Sequence, residues 1–355
     1  MSQIIQTAVV GVTGYAGAEL ARLLVRHPRL REKAPVFAGR VEAADQERGG
    51  IPLSEIHPEL TDSHGTGSLR LQCFSWELME DLDVDVLFMA TPHEWSRHAA
   101  PEARKRGIRV IDLSGAWRLE QAQHRAVYKF EDEGSTAALQ MQSEAVYGMP
   151  ELHREEIKTA GLVANPGCYA TSVILALKPL LAAGLVDVGH GIVCDSKSGV
   201  SGAGKAATAK THFMHAADNL SAYGVFTHRH TGELLEQLGV TSEDLTFTPH
   251  LLPIPRGILS TIYVRFHEAQ TNDSIEGCYR RYYRESPMVR LFGTTLPEIQ
   301  FSVRTCYSDI GFHLSSDRRR AVIVSCLDNL LKGAAGQAVQ NLNVMQGWGE
   351  AEGLE

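Results

Sequence analysis

The run Asn165-Pro166-Gly167-Cys168-Tyr169-Ala170-Thr171 puts a cysteine where sulfur chemistry is easiest. Pro166 and Gly167 make a turn, and the apolar stretch 169–183 predicts a helix, so Cys168 falls at its start. The first turn of a helix carries unpaired N–H groups and about half a positive charge, which favours thiolate over thiol. Cys168 is therefore a candidate nucleophile; the competing reading is a small buried hydrophobe. Asn165 offers an amide to a carbonyl oxygen on which negative charge develops, or else braces the turn.

Thiol chemistry also needs a proton carrier. His228-Arg229-His230 supplies two imidazoles two residues apart, which in extended chain share a face, ahead of a short helix over 234–238 with Thr231 as N-cap. A neutral imidazole moves protons near neutral pH, so the pair is a candidate acid/base partner, and surface polarity is the alternative. Isolated histidines such as His27, His57, His64 and His190 are expected to serve packing or the surface.

Further upstream lies a second kind of site. Residues 4–10 predict a strand that turns at Gly11-Val12-Thr13-Gly14-Tyr15-Ala16-Gly17 into an amphipathic helix over 18–27. Gly11 permits the tight turn, Gly14 admits a pyrophosphate to the backbone, and Gly17 lets helix pack on strand, with the helix N-terminus facing the anion. The spacing differs by one residue from the usual dinucleotide fingerprint. A second strand, 35–38, ends at Gly39-Arg40, where an NAD-specific fold offers an acid; an arginine there suits a ribose 2′-phosphate, so NADP is favoured. A solvated Arg40 is the alternative.

Strands at 84–90 and 108–113, joined by a helix from His93 through Arg106, continue the β-α-β pattern, and 49–71 is a loop-rich excursion. Ser114 and Arg118 follow the later strand at a carboxyl end, where open α/β sheets bind ligands; they are candidates for an anionic substrate group, unless Arg118 pairs with Glu120. After a strand at 161–164, the cysteine helix and a strand at 192–196, the loop Ser198-Gly199-Val200-Ser201-Gly202-Ala203-Gly204-Lys205 can approach a ring or phosphate closely. It is not a P-loop, because Ala206 follows Lys205. Strands at 246–255 and 258–266 flank Arg256, which binds an anion or forms a structural ion pair. A helix over 277–284, strands at 289–292 and 321–326, and a small-residue helix from Asp328 onward complete the chain.

The chain has 355 residues, 44% hydrophobic and 21% charged, enough for two cored domains. A net charge of -8 argues against nucleic acid as a partner. No apolar run of membrane-spanning length occurs, and residues 1–12 lack a basic region followed by an apolar core, so a cytoplasmic location is expected. Six scattered cysteines without zinc-type spacing suggest reduced thiols and no metal.

In order along the chain, the glycine turn 11–17, Asn165-Pro166-Gly167-Cys168-Tyr169, Ser198 to Gly204, His228-Arg229-His230 and Lys332-Gly333-Ala334-Ala335-Gly336-Gln337-Ala338 resemble the N-acetyl-gamma-glutamyl-phosphate reductase family and, more distantly, aspartate-semialdehyde dehydrogenase. The resemblance covers nearly the whole chain. It implies an α/β fold: a Rossmann dinucleotide-binding domain over 1–164, an α+β catalytic and oligomerisation domain of the semialdehyde dehydrogenase type over 165–327, and a C-terminal helix, 328–355, that returns to the first. It further implies NADP(H) as cofactor, a homo-oligomer (tetramer or dimer), and reduction of an acyl phosphate to an aldehyde and inorganic phosphate through a Cys168 thioester, in arginine biosynthesis.

By the same resemblance Arg40 contacts the 2′-phosphate, Asn329 lies near the nicotinamide, and Ser114 and Arg118 remain substrate candidates; from their chemistry Ser198, Gly199 and Gly202 are assigned to the cofactor and Asn165, His228 and Arg256 to the substrate. His230 is the acid/base choice because it directly precedes the Thr231-Gly232-Glu233 helix start. One departure is Gly115-Ala116-Trp117, where the family reads Ala-Asp-Phe, which leaves the shape of that loop open. The rivals are an aspartate-semialdehyde dehydrogenase and an NADP-binding regulator with an inert Cys168. A cysteine hydrolase would leave the glycine turn without a role.

Overall fold

The computed structural model describes residues 4–60 and 69–355. The 61–68 part of the predicted excursion, with His64, Gly65 and Gly67, lies outside them, as does the start of the N-terminal segment. Two compact units form: Met1–Arg118, Phe130–Asn165 and Ala335–Glu355 make the first, and Leu119–Lys129 with Pro166–Ala334 the second. Against the boundaries expected from the sequence, Leu119–Lys129 moves into the second unit, and the C-terminal segment divides between Ala334 and Ala335.

The first unit is built on eight strands: β1 (Thr7–Val10), β2 (Val36–Gly39), β3 (Ile51–Pro52), β4 (Arg70–Cys73), β5 (Val86–Met89), β6 (Arg109–Asp112), β7 (Ala145–Tyr147) and β8 (Leu162–Ala164). They lie in the order β3-β4-β2-β1-β5-β6-β8-β7, all parallel except the β3–β4 edge pair. Fully buried runs such as Thr-Ala-Val-Val in β1 and Val-Leu-Phe-Met in β5 are what a parallel sheet covered on both faces requires. The excursion thus contributes β3, a short helix at Leu53–Ile56 and β4, whose polar Arg-Leu-Gln-Cys sequence carried no alternating signal. The terminal helix Gly336–Met345 is buried along its whole length and packs on helices Tyr15–Arg26 and Pro150–Thr159 of this unit.

The second unit has a mixed sheet of seven strands: β9 (Ile192–Gly199), β10 (Ser221–Ala222), β11 (Leu245–Leu252), β12 (Ile258–Arg265), β13 (Val289–Gly293), β14 (Ser308–Leu314) and β15 (Arg320–Leu327). Their order is β10-β11-β9-β12-β15-β14-β13, with β9–β11 and β13–β14 parallel and the other pairs antiparallel. The sequence reading missed β14. The helix Cys168–Ala182 is apolar on all sides, and such a helix must be covered all round; it lies against β12 and β15 and against helices His230–Leu238 and Asn272–Tyr282. Beneath it Ser172 Oγ stands 2.9 Å from Ser260 Oγ and 3.0 Å from Ser325 Oγ, so the hydroxyls buried there satisfy one another.

Residues Leu331–Ala335 form a π-helical turn before the terminal helix, where one continuous helix from Asp328 was expected. Among the described residues no helix is long and apolar enough to cross a membrane.

Candidate active site and cofactor cradle

In the first unit the glycine turn has the geometry its spacing predicts. Gly11 has φ +95°, and a Cβ there would fall 2.2 Å from the Ala90 carbonyl oxygen; one on Gly17 would fall 2.2 Å from the Gly11 oxygen. Gly14 differs: it is the N-cap of helix Tyr15–Arg26 without a side-chain cap, and a Cβ on it would meet only the Gly11 oxygen, at 3.7 Å. Among the described residues the helix start at Gly14 is therefore uncrowded, as a pyrophosphate cradle requires. Thr13 and Tyr15 are exposed beside it. Val10 pairs with Ala38, so Arg40 leaves β2 at the same edge as the turn, exposed and without an ion pair to any described residue. His57, assigned only to packing from the sequence, is buried with Nε2 2.7 Å from the Val12 carbonyl oxygen, and so holds the turn.

Ser114, Arg118 and Asn165 gather at the carboxyl ends of β6 and β8, which pair through Asp112 and Ala164. Ser114 Oγ donates to Asp112 Oδ2 (2.7 Å) and accepts from the Ala116 N–H (3.1 Å). Burial pushes the Asp112 carboxyl up from its ordinary pKa, and the bonds from Ser114 and Ser96 oppose the shift. Arg118 donates to the Asn165 carbonyl (2.7 Å) and the Leu113 carbonyl (2.7 Å), which ties both strand ends together. The Asn165 side chain is buried, its Oδ1 accepting from Asn341 Nδ2 at 3.0 Å. The Gly115-Ala116-Trp117 departure is filled by the indole: Trp117 is 1% exposed with the Arg97 guanidinium 4.4 Å from its ring centroid.

In the second unit Gly167 is the N-cap of the helix that begins at Cys168, so the sulfur sits in the first turn as predicted. The histidines meet, though not as a strand pair. His230 opens the helix His230–Leu238, Thr231 lies inside that helix rather than capping it, and the two imidazole centroids are 4.7 Å apart, nearly perpendicular. The chain turns between His228 and His230 because the His230 N–H donates to His228 Nδ1 (3.1 Å). Nδ1 can accept only when unprotonated, which leaves the proton of a neutral His228 on Nε2. Burial, helped by the charge of Arg229, lowers the His228 pKa to about 4.

The sign of the linkage follows. Burial disfavours charged His228 in the fold, so above the ordinary value of 6.5 the buried ring carries no penalty, and stability is lost as pH falls from there towards about 4 because the unfolded chain takes up a proton that the folded one refuses. NMR titration of histidine-labelled protein is expected to show His228 neutral at pH 6 and titrating near 4; a midpoint at 6.5 would contradict the burial argument.

Two residues without a site role in the sequence reading build the surroundings of Cys168. Glu233, fully buried, accepts the Gly167 N–H at 2.8 Å through Oε2, and its Oε1 is 4.0 Å from His230 Nε2. Gly333 lies over the cysteine, where a Cβ would come within 2.6 Å of Cys168 Cβ. Gly167 is needed on the other side, since a Cβ there would reach 2.4 Å from His230 Nε2. Tyr169 donates its hydroxyl to the His250 carbonyl (2.8 Å), and burial drives its pKa up, so it stays protonated.

Ser198 and Gly199 end β9, and a Cβ on Gly199 would strike the backbone N of Arg256 at 2.6 Å. Asn329, 2% exposed, accepts from the Gly257 N–H (2.7 Å) and donates to Ser201 Oγ (2.9 Å), which fixes this loop. Arg256 forks onto buried Asp328, Nε to Oδ2 at 3.0 Å and Nη2 to Oδ1 at 3.1 Å; of the two roles open to it, the ion pair is present. Cys168, His228, His230, Ser198, Gly202 and Tyr223 line one cavity of about 340 Å³. A depression in the first unit, at Asp85, Arg106 and Arg109, lies at the amino ends of its strands, opposite the glycine turn.

Family models match both units. Residues 6–160 match the semialdehyde dehydrogenase NAD-binding domain and residues 168–329 the semialdehyde dehydrogenase dimerisation domain. The chain is 41% identical to the N-acetyl-gamma-glutamyl-phosphate reductase of Desulfotalea psychrophila, over 99% of this chain and 98% of the relative. It is 43% identical to that of Pelotomaculum thermopropionicum, over 99% and 97%. Among solved structures it is similar to aspartate semialdehyde dehydrogenase II of Vibrio cholerae complexed with ASA (TM-score 0.69, 18% identity, 97% and 98% covered). It is also similar to the NADP-bound aspartate semialdehyde dehydrogenase of Candida albicans (TM-score 0.68, 16% identity, 97% and 99% covered). A glycine turn uncrowded at a helix start, a cysteine at a second helix start in one cavity with two histidines, and matches from end to end lead to one conclusion: the chain belongs to the semialdehyde dehydrogenase family.

Proposed function

We propose that this chain is an NADP-dependent N-acetyl-gamma-glutamyl-phosphate reductase of arginine biosynthesis, acting in the cytoplasm as a homo-oligomer. The carrying observation is that Cys168 and the His228–His230 pair share one cavity in a chain aligned over its length with reductases of that name. Cys168 Sγ attacks the acyl carbon; the S–C bond forms, the carbon–oxygen bond to phosphate breaks, and phosphate leaves with the electron pair. The Gly11–Gly17 turn, with Arg40 at the 2′-phosphate, would hold NADPH, and bound NADPH would supply the hydride for reduction of the thioester carbon. His230 gives a proton to the resulting thiohemiacetal oxygen and removes it again as the C–S bond breaks, releasing aldehyde and restoring the thiolate.

His228, neutral with its proton on Nε2, holds the substrate by donating a hydrogen bond. Ser114, Arg118 and Asn165 are proposed substrate contacts as well, with Arg256 keeping the Ser198–Gly202 loop in register. Self-association is assigned to the open face of the second sheet, where paired Val193 and Tyr263 are 42% and 46% exposed. Six free cysteines accord with a reducing compartment.

The test is the phosphate-dependent oxidation of N-acetylglutamate semialdehyde, followed as NADPH formation, beside aspartate semialdehyde. Turnover with the first and at least about 100-fold less with the second is expected, because a site that pairs a substrate's polar groups rejects an analogue that leaves them unpaired. Equal or better use of aspartate semialdehyde would overturn the proposal. In the same assay Gly14→Ala is expected to fold normally, since its Cβ meets nothing closer than 3.7 Å, and to raise KM for NADP by about 10-fold or more by blocking the phosphates.

A further inference from the structure

The Cys168 cavity has a charge pattern that the steps above do not use. Among the described residues no aspartate or glutamate lines it, and its two histidines are accompanied by Lys210 and Arg229. Elsewhere in this unit Arg256–Asp328, Arg290–Asp309 and Lys197–Asp195 are ion pairs. Lys210 and Arg229 form no ion pair with any described residue; each instead faces an aromatic ring at 5.9 Å, Tyr223 for Lys210 and Tyr128 for Arg229. Lys210 is carried on a turn closed by a reciprocal cap, in which Thr208 Oγ1 accepts the Thr211 N–H and Thr211 Oγ1 accepts the Thr208 N–H. The charge of Arg229 reaches the cavity walls, where it lowers the pKa of His228 and opposes the burial-driven rise of Tyr223. Two unneutralised cations facing a carboxylate-free cavity, in a chain of net charge -8, raise the local concentration of an anion there.

We propose that Lys210 and Arg229 are the anion-recognition end of the Cys168 cavity and hold the phosphoryl group of the acyl phosphate, and inorganic phosphate in the reverse direction. The phosphoryl assignment rests on the reductase activity proposed above. That group is bonded through one oxygen to the carbon that Cys168 attacks, and with three peripheral oxygens and up to two negative charges it engages two separate cations, where a carboxylate satisfies one fork. Both cations also stabilise the charge that collects on phosphate as it departs.

Two measurements on the full chain test this, using Lys210→Gln and Arg229→Gln, both of which alter exposed side chains. The first is alkylation of Cys168, resolved from the other cysteines by peptide mass spectrometry, with anionic iodoacetate against neutral iodoacetamide. In the unsubstituted chain phosphate is expected to protect Cys168, and each variant should lower the iodoacetate-to-iodoacetamide rate ratio about 5-fold or more. An unchanged ratio would overturn the anion site whatever the enzyme's substrate.

The second is the oxidative assay, in which KM for phosphate should rise about 10-fold or more in each variant while KM for the semialdehyde stays within about 2-fold. A rise in the semialdehyde KM alone would assign the cations to the substrate carboxylate and overturn the phosphoryl assignment. If the unsubstituted chain lacks turnover, the reductase proposal fails, while the alkylation ratio still decides whether the anion site exists.

Discussion

Replacing Cys168 with serine is expected to lower reductase turnover by about 1,000-fold or more, with NADP affinity within about 2-fold of the unsubstituted chain. The volume change is one atom, and the helix start and Gly333 contact accept it. A serine hydroxyl at the same helix start, however, remains almost wholly protonated near pH 7 and is a poor nucleophile without a base at hydrogen-bond distance. Cofactor affinity is expected to hold because the dinucleotide phosphates are assigned to the Gly11–Gly17 turn of the first unit, which the substitution does not touch. Single-turnover mixing with acyl phosphate separates the steps: the unsubstituted chain should release a burst of phosphate and Cys168→Ser none. A normal burst in the serine variant would remove Cys168 as the acyl carrier.

The second large effect is expected at Glu233. Its carboxylate takes the Gly167 N–H with one oxygen and faces His230 Nε2 with the other, so it links the turn that presents the sulfur to the helix that presents the imidazole. Glu233→Ala strips the acceptor from a buried N–H and opens a void, which should cost about 2–4 kcal/mol of stability and lower Tm. Glu233→Gln separates structure from chemistry. The amide oxygen still accepts from Gly167 in nearly the same volume, so stability should stay within about 1–2 kcal/mol. The negative charge beside His230 is gone, and kcat should fall about 100-fold with KM for phosphate little changed. Thermal melting beside steady-state kinetics checks both, and a Glu233→Gln variant with full kcat would reduce Glu233 to a brace of the turn.

Much of the fold was legible in the sequence because its signals are local. A strand, a glycine turn and an amphipathic helix announce the first β-α-β unit, and Gly11 at φ +95° is the conformation its residue type allows. Buried parallel strands such as β5 read as unbroken apolar runs. By contrast β4 is polar and β7 has only three residues, so their place in the sheet depends on neighbours and not on periodicity. Leu119–Lys129 joins the second unit although it is flanked in sequence by the first, and nothing in its composition marks the exchange.

The histidine pair shows the same division within a few residues. Spacing made His228 and His230 share a face in extended chain, yet the chain turns there, and the rings meet because the His230 N–H closes onto His228 Nδ1.

By itself the sequence determined that Cys168 stands at a helix start, that the glycine turn leads into a helix, and which family pattern the motifs follow. Each depends on residues close in sequence, where turn chemistry, caps and periodicity act. Only the tertiary structure decided that Glu233 accepts the Gly167 N–H, that His57 holds the Val12 carbonyl, that Gly333 covers Cys168, and that Lys210 and Arg229 face the cavity. These contacts join residues brought together by packing, and packing is fixed by how buried surfaces and unsatisfied polar groups find one another across the fold, which no local spacing encodes.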